Sequence, residues 1–416
     1  MQKQAENLEK IYIIQPITRE NAAKYKILQQ EAVALIESAG ATYAGTIYQN
    51  VHEINPATFI GEGKLQELTS LLDGLGEITL LFNGELSPSQ LLNISSAVQN
   101  RKVIDRTTLI LDIFAKNAKS GEGKLQVELA QLKYLYPRLK GKGEALSRLG
   151  GCVGTRGPGE TKLETDRRYI RGRLKYLENR LKEMEKRRHL QLERRRKENV
   201  KTIALVGYTN VGKSTLMNLL AEANVYVHDG LFATLDPTVR NFSIHDIPFL
   251  LVDTVGFLQD LPHHLIEAFH STLESALNCD LALIVCDGQS DVQMQLETTL
   301  QTLRALDFSA PYLVVVNKCE TLQDLSHLPH NSVPISAKEN KGIAPLKREI
   351  FKFFQQDFLF CDLHVPYPAL QEYGKIKKYL IEREIRYTDD GLEINAIISA
   401  PYADLFTPFF HGKLTK

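Results

Sequence analysis

The chain has 416 residues, 43% of them hydrophobic and 24% charged, which is ordinary for a soluble protein and enough for two or three domains with sizeable cores. Fifty Lys and Arg balance fifty Asp and Glu, so the overall charge names no partner. The five cysteines (Cys152, Cys279, Cys286, Cys319 and Cys361) lack paired metal spacing, no apolar run approaches about 18 residues, and the start Met1-Gln-Lys-Gln-Ala-Glu lacks a signal-peptide pattern. A disulfide scaffold, a membrane span and export are therefore unsupported, and a cytoplasmic monomer with reduced thiols is expected.

From the N-terminus, strand-like apolar runs at 11–14, 43–48, 78–82 and 103–104 alternate with helical stretches at 22–38, 64–72, 88–98 and 108–116. This alternation predicts a small α/β domain with a mainly parallel sheet over residues 1–122. Gly61-Glu-Gly63-Lys64 carries only part of a phosphate-loop pattern and reads as a helix-capping turn.

Residues 123–198 read as a helical hairpin joined by a glycine-rich loop. Leu125, Leu129, Leu132 and Leu135 recur at helical spacing, and so do Ile170, Leu174, Leu177, Leu181 and Met184, which would form the seam of a long amphipathic helix. Between them, residues 149–162 are polar and rich in glycine, with cations at Arg156 and Lys162. Such a loop is either a linker or a probe that orders on a partner. Residues 165–198 hold fourteen Lys and Arg against six Asp and Glu, a local excess of eight positive charges. A solvated helix face explains such a run plainly. Contact with an RNA backbone explains it more sharply, and the scarcity of aromatics favours phosphate contact over base stacking.

The most specific stretch is Gly207-Tyr208-Thr209-Asn210-Val211-Gly212-Lys213-Ser214-Thr215, a full phosphate-loop pattern set between a buried strand at 202–206 and an amphipathic helix. Its glycines let backbone N–H groups turn toward phosphate oxygens, and the helix start adds the positive end of a peptide dipole. Lys213 is suited to the β- and γ-phosphates and Ser214 to Mg²⁺. Phe232-Ala233-Thr234-Leu235-Asp236 continues to Thr238 as a polar, turn-rich first switch, in which Thr234 or Thr238 would complete the magnesium shell. A strand at 249–252 ends in Asp253-Thr254-Val255-Gly256, with Asp253 placed to hold Mg²⁺ through water and the Gly256 N–H to meet a γ-phosphate. Farther on, Asn317-Lys318-Cys319-Glu320 occupies the place of a base-reading Asn-Lys-x-Asp motif, and Ser336-Ala337-Lys338 could meet the guanine oxygen.

Two departures modify this reading. Glu320 adds a methylene where a guanine reader places Asp, so discrimination against ATP is expected to be imperfect. Phe257 stands where many GTPases carry a water-orienting glutamine. Slow intrinsic hydrolysis follows, supported by Lys213, Thr234 and Gly256, with the missing group supplied by another side chain, a potassium ion or a partner. The ring could equally pack beneath the switch. Residues 199–358 thus form a P-loop domain, and residues 359–416 an appendage of β-α-β type with a helix at 369–383 and a strand at 392–399.

Taken together, several motifs resemble the HflX GTPases over nearly the whole chain. They are Phe59-Ile-Gly-Glu-Gly-Lys64, Val103-Ile-Asp-Arg-Thr107, Ile110-Leu-Asp-Ile-Phe114, Lys124-Leu-Gln-Val-Glu-Leu-Ala130 and Arg156-Gly-Pro-Gly-Glu-Thr161 with Leu163-Glu164 and Asp166-Arg-Arg168. The first switch and Asp253-Thr-Val-Gly-Phe257 match as well, whereas Glu320 stands where most members have Asp. The resemblance implies a multidomain α/β fold with an N-terminal parallel α/β domain, a helical hairpin, a Ras-like GTPase domain and a small α+β C-terminal domain. It assigns the first-switch magnesium ligand to Thr234 beside Ser214. It further implies GTP and GDP as ligands, and association with the large ribosomal subunit and its rRNA to split or rescue ribosomes under stress. An RNA-remodelling NTPase and a regulatory switch acting on a protein partner are the alternatives.

Overall fold

Four short apolar segments build the first sheet in the computed structural model, which describes residues 8–72, 76–98, 101–147, 158–197, 200–221, 231–232, 238–254, 256–259, 262, 265, 277–321 and 328–411. They are β1 (Lys10–Ile17), β2 (Thr42–Asn50), β3 (Thr79–Phe82) and β4 (Val103–Asp105), ordered β2-β1-β3-β4 and all parallel. Helices α1 (Tyr25–Ala39), α2 (Glu62–Leu72), α3 (Pro88–Ala97) and α4 (Arg106–Asn117) supply the crossovers. Every residue of β3 is buried, as expected for a strand covered on both faces. Leu65, Leu68 and Leu72 of α2 and Ile94 of α3 join Ile14, Leu80 and Phe82 in one apolar cluster. Gly61 precedes α2, and its carbonyl accepts the Lys64 and Leu65 N–H groups, as a capping turn should.

Two long helices follow, α5 (Gly121–Ser147) and α6 (Pro158–Lys197). The seam anticipated in α6 is present: Leu177 is buried, and Ile170, Leu174, Leu181 and Met184 are half-buried between exposed neighbours. In α5 the periodic leucines do not make up the inner face. Leu135 is exposed, whereas Gln126, Val127, Leu129, Ala130 and Tyr134 are buried. The reason is that α5 also packs on α3 and α4, so its covered surface is broader than one leucine stripe. The two helices are joined by polar contacts, Arg173 with Glu128 at 2.6 Å and Lys133 with Glu178 at 3.3 Å. Of the glycine-rich loop, residues 158–162 are the first turns of α6, and Arg156 lies outside the described residues.

The second sheet has six strands, ordered β10-β9-β8-β5-β7-β6. They are β5 (Lys201–Gly207), β6 (Thr238–Ile244), β7 (Ile247–Asp253), β8 (Leu281–Asp287), β9 (Tyr312–Asn317) and β10 (Ser332–Pro334). β6 pairs antiparallel with β7 and the rest are parallel. Among the described residues its helices are α7 (Lys213–Leu220), α8 (Val292–Ala305) and α9 (Ile343–Phe354).

A third sheet, β11 (Phe358–Pro366), β12 (Leu380–Tyr387) and β13 (Gly391–Ser399), is antiparallel in the order β11-β13-β12. Here the expected helix at 369–383 is too long. α10 spans Leu370–Ile376, and after a single 3₁₀ turn residues 380–383 belong to β12. Pairing of Leu380 with Ile398 and of Ile381 with Ile397 overrides the local helical pattern, a tertiary effect that propensity cannot register.

By contacts the chain divides into two compact units. Residues 228–236 and 255–273, which carry parts of both switches, group with residues 1–186, and the remainder forms the other unit.

Candidate nucleotide site

β5 is an apolar parallel strand that stops at Gly207, and α7 begins six residues later at Lys213. Two glycines make this turn possible. Gly207 has φ +147°, and a Cβ there would lie 2.2 Å from the Val285 carbonyl oxygen in β8. Gly212 caps α7 with φ +93°, and a Cβ would meet Asn317 Nδ2 at 2.3 Å. Only glycine meets both the dihedral and the spatial demand. Tyr208, Thr209 and Val211 are buried, so the loop is held from beneath while Asn210, with φ +58°, stays exposed.

Lys213 is only 7% exposed, and its Nζ donates to the carbonyls of Gly207 at 3.1 Å and Tyr208 at 2.7 Å. Burial lowers its pKa to about 8, partly opposed by the carboxylate of Asp253. The ammonium is therefore poorly solvated and ready to gain from an anion. Ser214 Oγ donates to Asp253 Oδ2 at 2.6 Å, and Asp253 is 1% exposed at the end of β7. A hydroxyl and a carboxylate this close are the all-oxygen donor set that Mg²⁺ takes, so the residues present suit that ion. Thr254 turns inward, its hydroxyl donating to the Leu205 carbonyl at 2.7 Å. Thr215 is the third residue of the same helix, one after Ser214.

The linear motif assigns Asn317 to the base alone. The structure gives it a second job: its buried amide donates through Nδ2 to the Val211 carbonyl at 2.8 Å and accepts at Oδ1 from the Ala337 N–H at 2.9 Å. One side chain thus braces the phosphate loop against the 336–338 turn. Lys318, at φ +62°, pairs with Asp287 at 2.7 Å, and no linear motif points to Asp287 because it ends a different strand, β8. Cys319 and Glu320 lie in a 3₁₀ turn, with the Cys319 N–H donating to the Ile335 carbonyl. The Glu320 carboxyl sits below the usual range because its own backbone N–H, and then Ser336, donate to it. Ser336 pairs with Lys341 through both backbone groups, which folds the Ser336-Ala337-Lys338 turn. Asn317, Lys318, Glu320 and Ser336 are thereby gathered at one end of the six-stranded sheet.

The switches divide differently. Ala233, Thr234, Leu235, Asp236 and Val255 lie outside the described residues. Phe232 is buried against Phe114 with ring centroids 4.5 Å apart, and its carbonyl accepts from Asn117 at 2.9 Å. Its ring thus packs within the N-terminal core. Gly256 is buried, and Phe257 is 1% exposed, so its ring packs instead of facing solvent. Among the described residues the free cysteines are Cys279, Cys286, Cys319 and Cys361, and burial pushes the first two up to about 12, so they remain thiols.

Family models match in series along the chain: a GTP-binding GTPase N-terminal region at residues 28–115, a GTP-binding GTPase middle region at 117–195 and a 50S ribosome-binding GTPase at 202–318. A GTPase HflX of Caldanaerobacter subterraneus subsp. tengcongensis is 43% identical over 377 residues, covering 89% of this chain and 87% of that protein. One from Escherichia coli K12 is 43% identical over 328 residues, with 76% of each chain covered. A GTP-binding protein from Sulfolobus solfataricus, solved in complex with GDP, is 24% identical with a TM-score of 0.45, covering 84% of this chain and 99% of that one. With a phosphate loop after β5, an acidic strand end at Asp253 and relatives this similar over most of its length, the chain binds and hydrolyses GTP and belongs to the HflX family of GTPases.

Proposed function

We propose that this GTPase binds the large ribosomal subunit through its helical hairpin and splits or rescues ribosomes, with GTP governing when it holds on. The observation that carries this reading is α6, a 40-residue helix whose Lys175, Arg180, Lys182, Lys186 and Arg187 are all exposed. Arg180 reaches Glu183 of the same helix at 3.1 Å, while Lys175, Lys182, Lys186 and Arg187 point away from the apolar seam toward an outside partner, and a helix with few aromatics suits phosphates better than bases. The match of residues 202–318 to a 50S ribosome-binding GTPase points the same way.

In this reading residues 1–122, 123–198, 199–358 and 359–416 act as four parts. The turn from Gly207 to Thr215 surrounds the phosphates, Lys213 meets the β- and γ-oxygens, and Ser214, Thr234 and Asp253 would hold Mg²⁺, which when bound would supply positive charge to the transferring phosphate. The Gly256 N–H meets the γ-phosphate, and Asn317, Lys318, Glu320 and the Ser336-Ala337-Lys338 turn read the base. The Phe257 side chain supplies no polar atom for orienting water, so the full rate needs a further group from another side chain, a potassium ion or a partner such as the ribosome.

Co-sedimentation with large subunits tests the proposal. Retention with a non-hydrolysable GTP analogue, release with GDP and a steep loss with rising salt are expected. Equal occupancy with GTP, GDP and no nucleotide would overturn it. Acceleration of hydrolysis by naked RNA but not by subunits would favour an RNA-remodelling NTPase, and tighter ATP than GTP binding would remove the assigned base selectivity.

A further inference from the structure

In a parallel sheet ordered β2-β1-β3-β4, the crevice beyond the carboxyl ends of β1 and β3 is where such folds bind ligands. The residues that reach this end of the N-terminal sheet are polar and buried: Gln15 in β1, Asn83 after β3, Arg106 after β4 and Glu31 from α1. They form one connected group. Asn83 donates to Gln15 at 2.5 Å and to the Leu28 carbonyl at 3.1 Å, while Arg106 donates to Asn83 at 3.1 Å and pairs with Glu31 at 2.7 Å. What occupies the crevice is the chain's own backbone. Arg106 donates to the Gln259 carbonyl at 3.0 Å, and Glu31 accepts the Gln259 N–H in a long contact of 3.5 Å.

Gln259 lies three residues beyond Gly256, within the second switch. The peptide is thus approached by a guanidinium on its oxygen and a carboxylate on its nitrogen, both from a pair about nine-tenths buried or more. Charge-assisted hydrogen bonds in so dry a setting are stronger than neutral ones. Phe257 and Leu258, each 1% exposed, bury their side chains beside this grip. A buried ion pair is in itself weak grounds for stability, since well-packed apolar residues often replace one without loss. An apolar replacement would lose the bond to Asn83 and the grip on Gln259, and the grip is the contact that reaches the second switch.

We propose that Arg106 and Glu31 are positioning residues for GTP hydrolysis, fixing the second switch through the peptide of Gln259. Neither touches the nucleotide. They act by restricting the poses available to Gly256 and its N–H, and positional losses of about 1 Å at a reacting centre can lower rates by up to about a hundredfold. Asp105, the neighbour of Arg106, is equally buried but serves α4 and α5: it caps α4 by accepting from the Thr108 N–H, accepts from the Tyr134 hydroxyl of α5 and lies 3.5 Å from Arg138. It is therefore an internal control.

The test is single-turnover GTP hydrolysis by the full chain, with GDP affinity and thermal melting measured in parallel. The double variant Arg106→Met with Glu31→Leu removes the grip without stranding a charge, and Arg106→Lys keeps the pair but loses the fork that reaches several acceptors. Both should lower the saturated rate by about tenfold with GDP affinity unchanged, and amide exchange across 256–259 should quicken. Asp105→Asn should lower the melting temperature and leave the rate alone. An unchanged or raised rate in the folded double variant would overturn the proposal, and so would an equal fall in Asp105→Asn. If the double variant fails to fold, Arg106→Lys separates the same two outcomes on the same readouts, a slowed rate supporting the proposal and an unchanged one overturning it.

Discussion

Two sheets in this chain bring parallel strands to a point where the connections part, and they treat the space beyond it in opposite ways. At the ends of β1, β3 and β4 the chain delivers Gln15, Asn83 and Arg106, which bond to one another, to Glu31 and to the Gln259 peptide. At the end of β5 the strand delivers a glycine, the backbone turns away, and a single buried lysine is left with only carbonyls to hold. The same architecture therefore becomes a filled, self-sufficient joint in one case and an anion site in the other. What separates them is the size and charge of the first few residues past each strand, which is why function is argued from the site and not from the fold.

The most severe way to break this contrast is to fill the open end. Gly207→Ala places a methyl against the Val285 carbonyl at a φ that L-residues rarely adopt, and it should destabilise the six-stranded unit by more than about 2 kcal/mol and abolish GTP binding in a fluorescent-nucleotide titration. Retained affinity would show that the turn relaxes and that glycine is not what opens the site.

A gentler change is to alter the charge on the lysine. Because burial holds its pKa near 8, the ammonium of the free protein is lost as pH rises through that value, whereas a bound polyphosphate favours the charged form. GTP binding should therefore take up a proton above pH 8, and affinity should fall by about tenfold per pH unit between about 8 and 10. Calorimetry in buffers of different ionisation enthalpy checks this, and proton release on binding would contradict it. The effect on stability has the same origin. The folded pKa lies below the unfolded value of 10.5, so this contribution to stability is present above 10.5 and is lost as pH falls through about 8.

The smallest expected effect is in the filled joint. Asn83→Ala strands Gln15 and one arm of Arg106, and it should cost about 1–2 kcal/mol in denaturant unfolding while GDP affinity stays unchanged. A parallel loss of GDP affinity would mean the two sheet ends are not independent in the way their chemistry suggests.

Much of the molecule is legible in the sequence because the signals are local. Buried apolar runs locate the strands of the N-terminal sheet and β5 and β7 of the six-stranded one, and the spacing from Gly207 to Ser214 locates the phosphate loop, since each requirement is met by residues adjacent in the chain. β6, which starts at Thr238 within the stretch read as the first switch, is fixed instead by its antiparallel pairing with β7. The failures share the opposite property. The helix expected at 369–383 is overrun by strand pairing, the inner face of α5 is set by its packing on α3 and α4, and Asp287 and Arg106 find partners 31 and 153 positions away.

By itself the sequence determined the alternation of strands and helices, the glycine turn that gathers backbone N–H groups, and the basic face of α6, because periodicity, dihedral freedom and charge are carried residue by residue. Only the tertiary structure decided that Asn317 braces the phosphate loop, that Phe232 and Phe257 turn inward, and that Arg106 with Glu31 reaches the second switch. Those roles depend on which buried polar atoms find partners. A side chain taken out of water must be satisfied by whatever the fold brings within about 3 Å, and that neighbour is set by chain topology.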